Sequence, residues 1–343
     1  MATVLITGAG GATGITVIKS LQTETSHETV GVDMNPAAAG IQLADFGTTV
    51  PAAGDQNWPN AIAETVDCFD VDVIVPTVDE ELSELSDLSE AVSSEVPIVA
   101  PKQTVINIAL DKYSTYKRLD DAGHRVPQTW LASEAGRIDL AAFPLIVKPR
   151  QGRGSRGVQR VENAAELEKY MMETNYSREG LICQEFISGA EYTTSVVGTR
   201  DNRLLGVVPK EAIEKDGSTT VGVTREAPAV AASCRKIFET LQPAGPMNVQ
   251  QIVDEDGDPH TIEINPRFSS TSCLTVAAGV DEFDPLIRDA LGESVTGTAQ
   301  YVPGRYILRY TDHIFVDTDT LDHLTQEITN ESEGRSIDPR TTL

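Results

Sequence analysis

The sequence predicts an α/β protein that opens on a doubly wound parallel sheet and continues into an α+β region of hairpins and returning strands. Three observations carry this. Short β-branched runs alternate with helical stretches over roughly the first hundred residues, and such alternation builds parallel sheets joined by crossover helices. Residues 148–160 hold five cations (Lys148, Arg150, Arg153, Arg156 and Arg160) and no acid, in a chain with 52 acidic and 27 basic residues. Residues 248–268 read as a hairpin whose polar face gathers a carboxylate and amide oxygens.

Taken in order, residues 3–7 form a buried-strand run that enters Gly8-Ala-Gly-Gly-Ala-Thr-Gly14, and Ile15, Ile18 and Leu21 follow at helical spacing. Further strands are expected at 29–33, 71–75 and 96–100. A helix over 79–94 puts Leu82, Leu85, Leu88 and Val92 on one side and acids on a solvated face. The glycine turn with Asp33 admits a dinucleotide reading. Gly8 and Gly10 match a GxGxxG pattern, but Thr13 stands at its third glycine. Gly8, Gly11 and Gly14 fit GxxGxxG better, which resembles short-chain reductases and epimerases, and Tyr113-Ser-Thr-Tyr-Lys117 supplies their Tyr–Lys spacing. An NAD(P)-dependent enzyme is therefore one rival reading. The plain alternative is that the glycines let a helix pack close to a sheet.

From about 112 the character changes. Residues 112–122 look helical, 127–131 extended, and 143–148 a strand running into Pro149-Arg-Gln-Gly-Arg-Gly-Ser-Arg-Gly157. Gly152, Gly154 and Gly157 permit close backbone approach, Ser155 adds a hydroxyl donor, and Arg153 and Arg156 add charge. Such a loop suits phosphates. It lacks the Gly-Lys-Ser/Thr ending of a Walker loop. A strand over 181–187 carries Gln184, Glu185, Phe186 and Ile187, and Glu191 follows. Another strand ends at Lys210, and Arg225 follows a bend.

In the hairpin, Glu255–Pro259 make the turn. Strand alternation sends Ile262 and Ile264 to one face and Glu263 and Asn265 to the other, and Gln250 or Gln251 reaches the same place from the partner strand. All-oxygen ligands suit Mg²⁺, which is held by one or two carboxylates together with substrate phosphates. Arg267 adds a fixed cation. A helix through 277 follows Ser269–Ser272, a late strand over 305–316 returns to the sheet, and the polar chain after about 318 is expected to fray.

Composition narrows the function. A net charge of −25 and a pI near 4.5 repel nucleic acid and anionic membrane, because phosphate binding needs clustered cations. Acid-rich, lysine-poor surfaces also resemble those of proteins from salt-loving organisms, where salt screens self-repulsion. Cys68, Cys183, Cys234 and Cys273 form no CxxC pair, so free thiols are expected and neither zinc nor a disulfide framework. The histidines show no metal-ligand spacing. With no run of 18 apolar residues and no basic-then-apolar leader, a soluble, cytoplasmic protein is expected.

Read together, Asp111-Lys112, Lys148-Pro149 with its glycine loop, Gln184-Glu-Phe-Ile with Gly189 and Glu191-Tyr192, Asn248-Val-Gln250 and Glu263-Ile-Asn-Pro-Arg267 form an ordered series. Over residues 1–316 it resembles the ATP-grasp superfamily, in particular the half-unit of carbamoyl-phosphate synthetase large subunits and related carboxylate–amine ligases. The resemblance implies a Rossmann-like pre-ATP-grasp sheet at 1–105 and a two-lobed ATP-grasp domain at 106–295. Within that domain a small lobe covers about 113–187 and a metal-binding lobe about 188–295, and 296–343 form a C-terminal strand and flexible tail.

It further implies the cofactors ATP and Mg²⁺, with Mn²⁺ as a substitute. Lys112 and Lys148 would meet the α- and β-phosphates and Gly152–Gly157 would close over them. Gln184 and Glu185–Ile187 would flank adenine, and Glu191 would bind the ribose. Gln250, Glu263 and Asn265 would ligate metal, and Arg267 would stabilise the transferred phosphoryl group. Lys210 is placed with the nucleotide residues. With Arg225 and Ser269–Ser272 it is also a candidate for the acceptor carboxylate, and Asp79–Glu81 for an amine. The implied partners are a small carboxylate and an amine, and a homodimer is compatible. The loop is richer in arginine than that of the synthetases. The chain shows one unit with no second copy and no glutamine-hydrolysing region, so carbamoyl-phosphate synthesis itself is not expected. A nucleotide-binding regulator without catalysis is the third reading.

Overall fold

Buried valine and isoleucine runs make the first sheet. The computed structural model describes residues 1–318 apart from 153, 298 and 299, together with residue 321; the expected frayed tail lies outside the described residues. Elements β1 (Thr3–Ile6), α1 (Ala12–Glu24), β2 (Glu28–Asp33), α2 (Ala39–Leu43), β3 (Phe46–Thr49), α3 (Trp58–Phe69), β4 (Val73–Val75), α4 (Asp79–Leu82) and α5 (Leu85–Ala91) follow in order. The strands pair in the order β3-β2-β1-β4, all parallel. Leu5, Val30 and Ile74 pack on one face beneath α3 and α5. Val4, Ile6 and Val75 pack on the other, with α1.

Three details differ from expectation. The short strand β3 was not foreseen, since Phe46-Gly-Thr-Thr has little apolar signal. The expected strand at 96–100 reduces to one bridge between Ile74 and Ile98. The expected helix at 79–94 is two helices, and the Ser83 hydroxyl at the break donates to the Glu80 carbonyl at 2.9 Å, a local bond that competes with the helical ladder.

The glycines of the first turn serve packing. A Cβ on Gly14 would fall 2.6 Å from the Gly8 carbonyl oxygen, and one on Gly40 of α2 would fall 1.9 Å from that of Ala9. Asp33, the expected ribose acid, instead accepts from the Gly10 N–H at 2.8 Å and the Asn35 N–H at 2.9 Å. The turn is thus a close helix–sheet contact.

A second, antiparallel sheet follows α6 (Gln103–Ala109) and α7 (Lys112–Asp121). It is made of β5 (Thr129–Leu131), β6 (Leu145–Pro149), β7 (Gln159–Val161) and, after α8 (Ala164–Glu173), β8 (Leu181–Glu185), in the order β5-β8-β6-β7. Its own core is Leu145, Val147, Val161, Leu167, Leu181 and Cys183.

The third sheet is six-stranded and antiparallel: β9 (Ala190–Gly198), β10 (Leu204–Asp216), β11 (Ser218–Thr224), β12 (Met247–Val253), β13 (Pro259–Asn265) and β14 (Tyr306–Leu308), in the order β13-β12-β9-β10-β11-β14. Helix α9 (Pro228–Leu241) covers one face, where Ile237 and Phe238 meet Val249 and Ile264. Helices α10 (Ser272–Ala277) and α11 (Asp284–Ala290) follow β13. The late strand returns to the sheet as expected, where it pairs with β11, but it spans 306–308 and not 305–316. The four cysteines are free, and among the described residues no helix is long and apolar enough to cross a membrane.

Candidate active site

Strand β6 carries Lys148 into the interface between the second and third sheets, where it is buried. Its ammonium donates to Gln184 Oε1 at 2.9 Å and to the Ile262 carbonyl at 3.1 Å. Burial pulls its pKa down to about 8, against the opposing pull of the Glu263 carboxylate, because a low-dielectric surrounding disfavours the charged form. The Gln184 amide nitrogen donates to Thr129 Oγ1 at 2.9 Å, which fixes its oxygen toward the lysine.

Lys112 approaches from the start of α7. Asp111 caps that helix by accepting from the N–H groups of Tyr113 and Ser114, at 2.9 and 3.4 Å. Lys112 Nζ lies 3.0 Å from Glu263 Oε1 and donates to the Gly152 carbonyl at 2.7 Å. In the loop beyond, Gly154 and Ser155 take φ values of 67° and 56° in succession. Glycine adopts this region freely and serine at a cost, so the curled backbone is a specific feature of the loop.

The hairpin supplies the opposite wall. Gln250 stands directly across from Glu263, and a shift in register before Gln251 makes Ile262 the extra residue of a β-bulge. A bulge re-aims side chains. Ile262 therefore joins Glu263 in the cleft while Ile264 packs under α9, which corrects the simple alternation expected for the two isoleucines. The geometry separates the two glutamines. Gln250 lines the cleft, whereas Gln251 is buried against Ser233 Oγ (2.8 Å) and Thr261 Oγ1 (3.0 Å).

These elements enclose a cleft of about 250 Å³. It brings together Lys112, Lys148, Gly152, Gly154, Ser155, Arg156, Gln184, Glu185, Phe186, Ile187, Glu191, Gln250 and Glu263. Gly157 lies beside it, its carbonyl accepting from the Tyr170 hydroxyl at 2.7 Å. Arg153 lies outside the described residues. Of the other cations at 148–160, Arg150 is bound to Asp111 and Arg160 sits 4.1 Å over the Phe186 ring and pairs with Glu162 at 2.8 Å. Of the five cations of this stretch, the described ones that line the cleft are Lys148 and Arg156.

Several expected participants lie outside the cleft lining. Lys210 is not in the cleft lining. It is buried, with Nζ on Ser195 Oγ (2.6 Å) and Thr275 Oγ1 (2.8 Å), so a direct nucleotide contact is not what this geometry offers. Arg225 pairs with Glu211 at 2.5 Å, and the hydroxyls of Ser269 and Ser272 close their own turn. Arg267 binds Asp79, and its Nη2 lies 3.4 Å from Asn265 Oδ1, which is buried beside the cleft.

One residue was missed. Lys215, at the end of the long β10, lines the cleft and holds Glu191 Oε1 at 2.6 Å. The following Asp216-Gly217 was a legible hairpin signal, but the reach of β10 was not.

Tyr113 and Lys117 do not form a reductase pair. The Arg150 guanidinium lies 5.7 Å from the Tyr113 ring centroid, and Lys117 is an exposed partner of Asp121 at 3.8 Å.

The chain is similar to several known proteins. Residues 109–271 match a family described as an ATP-grasp domain, and residues 4–99 match one described as a PylC-like N-terminal domain. A carbamoyl-phosphate synthase from Methanobrevibacter smithii is 24% identical over 293 residues, 79% of this chain and 76% of that protein. A D-alanine–D-alanine ligase B from Chromobacterium violaceum is 28% identical over 50% of this chain and 62% of its own length. In fold, N5-carboxyaminoimidazole synthetase from Staphylococcus aureus complexed with ADP superposes with a TM-score of 0.73 at 19% identity, over 97% of this chain and 87% of that one. Biotin carboxylase from Campylobacter jejuni gives 0.70 at 16%, over 89% and 74%. No finding points to a reductase. Residues 109–271 are thus an ATP-grasp domain, preceded over residues 4–99 by a PylC-like N-terminal domain, and the chain is similar to carboxylate–amine ligases of that superfamily.

Proposed function

We propose that the chain is an ATP- and Mg²⁺-dependent ligase that activates a small carboxylate as an acyl phosphate for attack by an amine. The observation that carries this reading is convergence: Lys112, Lys148, the glycine loop, Gln250 and Glu263, drawn from three separate stretches, face one cleft. A carboxylate oxygen attacks the γ-phosphorus, the bond to the β-phosphate oxygen breaks, and ADP leaves. The amine then attacks the acyl carbon, expels inorganic phosphate and loses a proton. The work left to the protein is positioning and charge neutralisation.

The residues fit a hard divalent ion that arrives with phosphate. Glu263 offers one carboxylate, with amide oxygens on Gln250 across the hairpin and on Asn265, and Mg²⁺ takes such oxygen donors together with substrate phosphates. Among the described residues no group of three or more His, Cys, Asp or Glu gathers to hold a metal without them. Bound there, Mg²⁺ would neutralise charge on the phosphates. Lys148 and Lys112 would hold phosphate oxygens, Phe186 and Ile187 would flank the base, and Glu191 would accept from the ribose.

The test is ADP release with ATP, Mg²⁺ and a panel of carboxylates, each with and without amines. Glu263→Gln is expected to abolish carboxylate-dependent ADP formation while leaving the melting temperature within a few degrees of wild type. Unchanged turnover would remove the metal-site assignment, and ATP binding with no carboxylate response would leave a regulator.

A further inference from the structure

The contact that ties the cleft together is made by Lys112. Its ammonium is shared between the carboxylate expected to hold metal, Glu263 Oε1 at 3.0 Å, and the glycine-loop carbonyl of Gly152 at 2.7 Å. Its side chain is 10% exposed and that of Glu263 21%, so the pair is well withdrawn from water and from salt. Lys148 is a second ammonium in the same field, close enough for Lys112 to lower its proton affinity. Two ammoniums thus face Glu263 before any ligand arrives, while the Glu191 carboxylate of the same cleft is paired with Lys215 at 2.6 Å and the other two expected metal donors are neutral amides.

A divalent ion sits about 2.1 Å from a carboxylate oxygen. An ion at that distance from Glu263 would stand within roughly 5 Å of Lys112 Nζ, and like charges so close repel strongly where water is scarce. A free metal ion must expel the lysine and offers it nothing in exchange. A metal carried on a polyphosphate brings anionic oxygens, and an ammonium gains charge-assisted hydrogen bonds by moving to them.

We propose that Lys112 is the exchange cation of this cleft: it holds Glu263 and the glycine loop together and yields Glu263 to a metal–nucleotide complex, so that the site takes the complex and discriminates against free metal. This rests on Glu263 being the metal carboxylate of the proposed ligase. It adds a binding order, and it assigns Lys112 two successive partners where the family pattern assigns a phosphate alone. When the ammonium leaves, the Gly152 carbonyl loses that hydrogen bond as well.

The experiment is a Mn²⁺ titration followed by electron paramagnetic resonance, on the full chain, without nucleotide and with ADP. Proteins compared are wild type, Lys112→Met, Lys112→Arg and the double variant Lys112→Met/Glu263→Gln. Without nucleotide, K112M is expected to bind Mn²⁺ at least about tenfold more tightly than wild type, the direction that follows from removing a competing charge. K112R is expected to stay weak. The double variant should lose the gain, which also subtracts background from the other carboxylates of a chain with net charge −25. With ADP present, K112M should bind the Mn²⁺ complex more weakly than wild type. A merely damaged cleft would weaken both, so the opposite signs are the signature.

If K112M binds nucleotide-free Mn²⁺ no better than wild type, the exchange is overturned. If wild type binds Mn²⁺–ADP no better than Mn²⁺ alone, the ligase reading itself fails, and the two failures are told apart by that arm.

Discussion

Arg267 donates through Nε and Nη2 to both carboxylate oxygens of Asp79, at 2.6 and 2.8 Å, across 188 residues of sequence. The guanidinium lies just past the end of β13 and the carboxylate begins α4, so the pair ties the region of the first sheet to the third. Both side chains are largely buried. Removing one partner of a buried ion pair strands the other and costs about 3–5 kcal/mol.

Asp79→Asn is therefore expected to lower the unfolding free energy by several kcal/mol, read by chemical denaturation. In the proposed reaction Arg267 stabilises the transferred phosphoryl group, and Asp79 would orient it. Arg267→Ala should lower turnover roughly 10²- to 10³-fold, as for loss of one transition-state donor. Asp79→Asn should lower it roughly 10- to 100-fold, as for a residue that orients another. The double variant should be no slower than Arg267→Ala, and additive losses would argue for independent roles.

Lys148 gives a pH dependence with a definite sign. Burial pulls its pKa to about 8, so its charge, and with it the hold on phosphate proposed for it, is present below that pH and lost above it. The ADP dissociation constant of the wild type should rise as pH increases through about 8, and Lys148→Arg should flatten that limb. Folding responds in the opposite sense. An unfolded lysine keeps its proton to about 10.4, so this residue makes the protein more stable as pH rises from about 8 toward that value.

Glu81 offers a second titration, outside the cleft lining. Burial pushes its carboxyl up to about 7 from an ordinary 4.5, despite hydrogen bonds from Thr7 Oγ1 and the N–H groups of Val78 and Thr77. A raised folded pKa favours the folded state at low pH, and that contribution is lost between pH 4.5 and 7. The loss is on the order of 3 kcal/mol. Denaturant melts at pH 5 and 7.5 should show it in the wild type, and Glu81→Gln should remove most of the difference.

The first glycine turn predicts a purely structural phenotype. Gly40→Ala would drive a Cβ to 1.9 Å from the Ala9 carbonyl oxygen, and overpacking of this kind costs about 1–3 kcal/mol. Stability should fall by that amount with the ADP affinity unchanged, and NADPH should give no thermal shift in wild type or variant. A coenzyme-dependent shift would revive the dinucleotide reading.

Much of the cleft was legible because its residues carry strong local signals. Lys148 follows an apolar strand and precedes glycines, and Glu263 and Asn265 alternate with isoleucines. What was illegible depends on partners distant in sequence. Nothing local says that Arg150 will be spent on Asp111, or that Lys210 will be buried under Thr275. The bulge at Ile262 arises from register with β12, which strand alternation cannot report. The break between α4 and α5 reflects hydroxyl competition too weak to overrule a leucine repeat on paper.

The core beneath the first sheet has a consequence for how such chains can be recombined. Val4, Ile6 and Val17 of the opening segment share one apolar cluster with Val197, Leu205, Phe268 and Phe283 from the far half of the chain, whereas the second sheet keeps a cluster to itself. A chimera that exchanges residues 1–100 with a relative must therefore carry matching partners at 197, 205, 268 and 283. One that exchanges the second sheet needs matching only at the cleft rim. The natural seams of this molecule thus run around its middle segment, and the opening sheet is inherited together with the strands that hold Glu263.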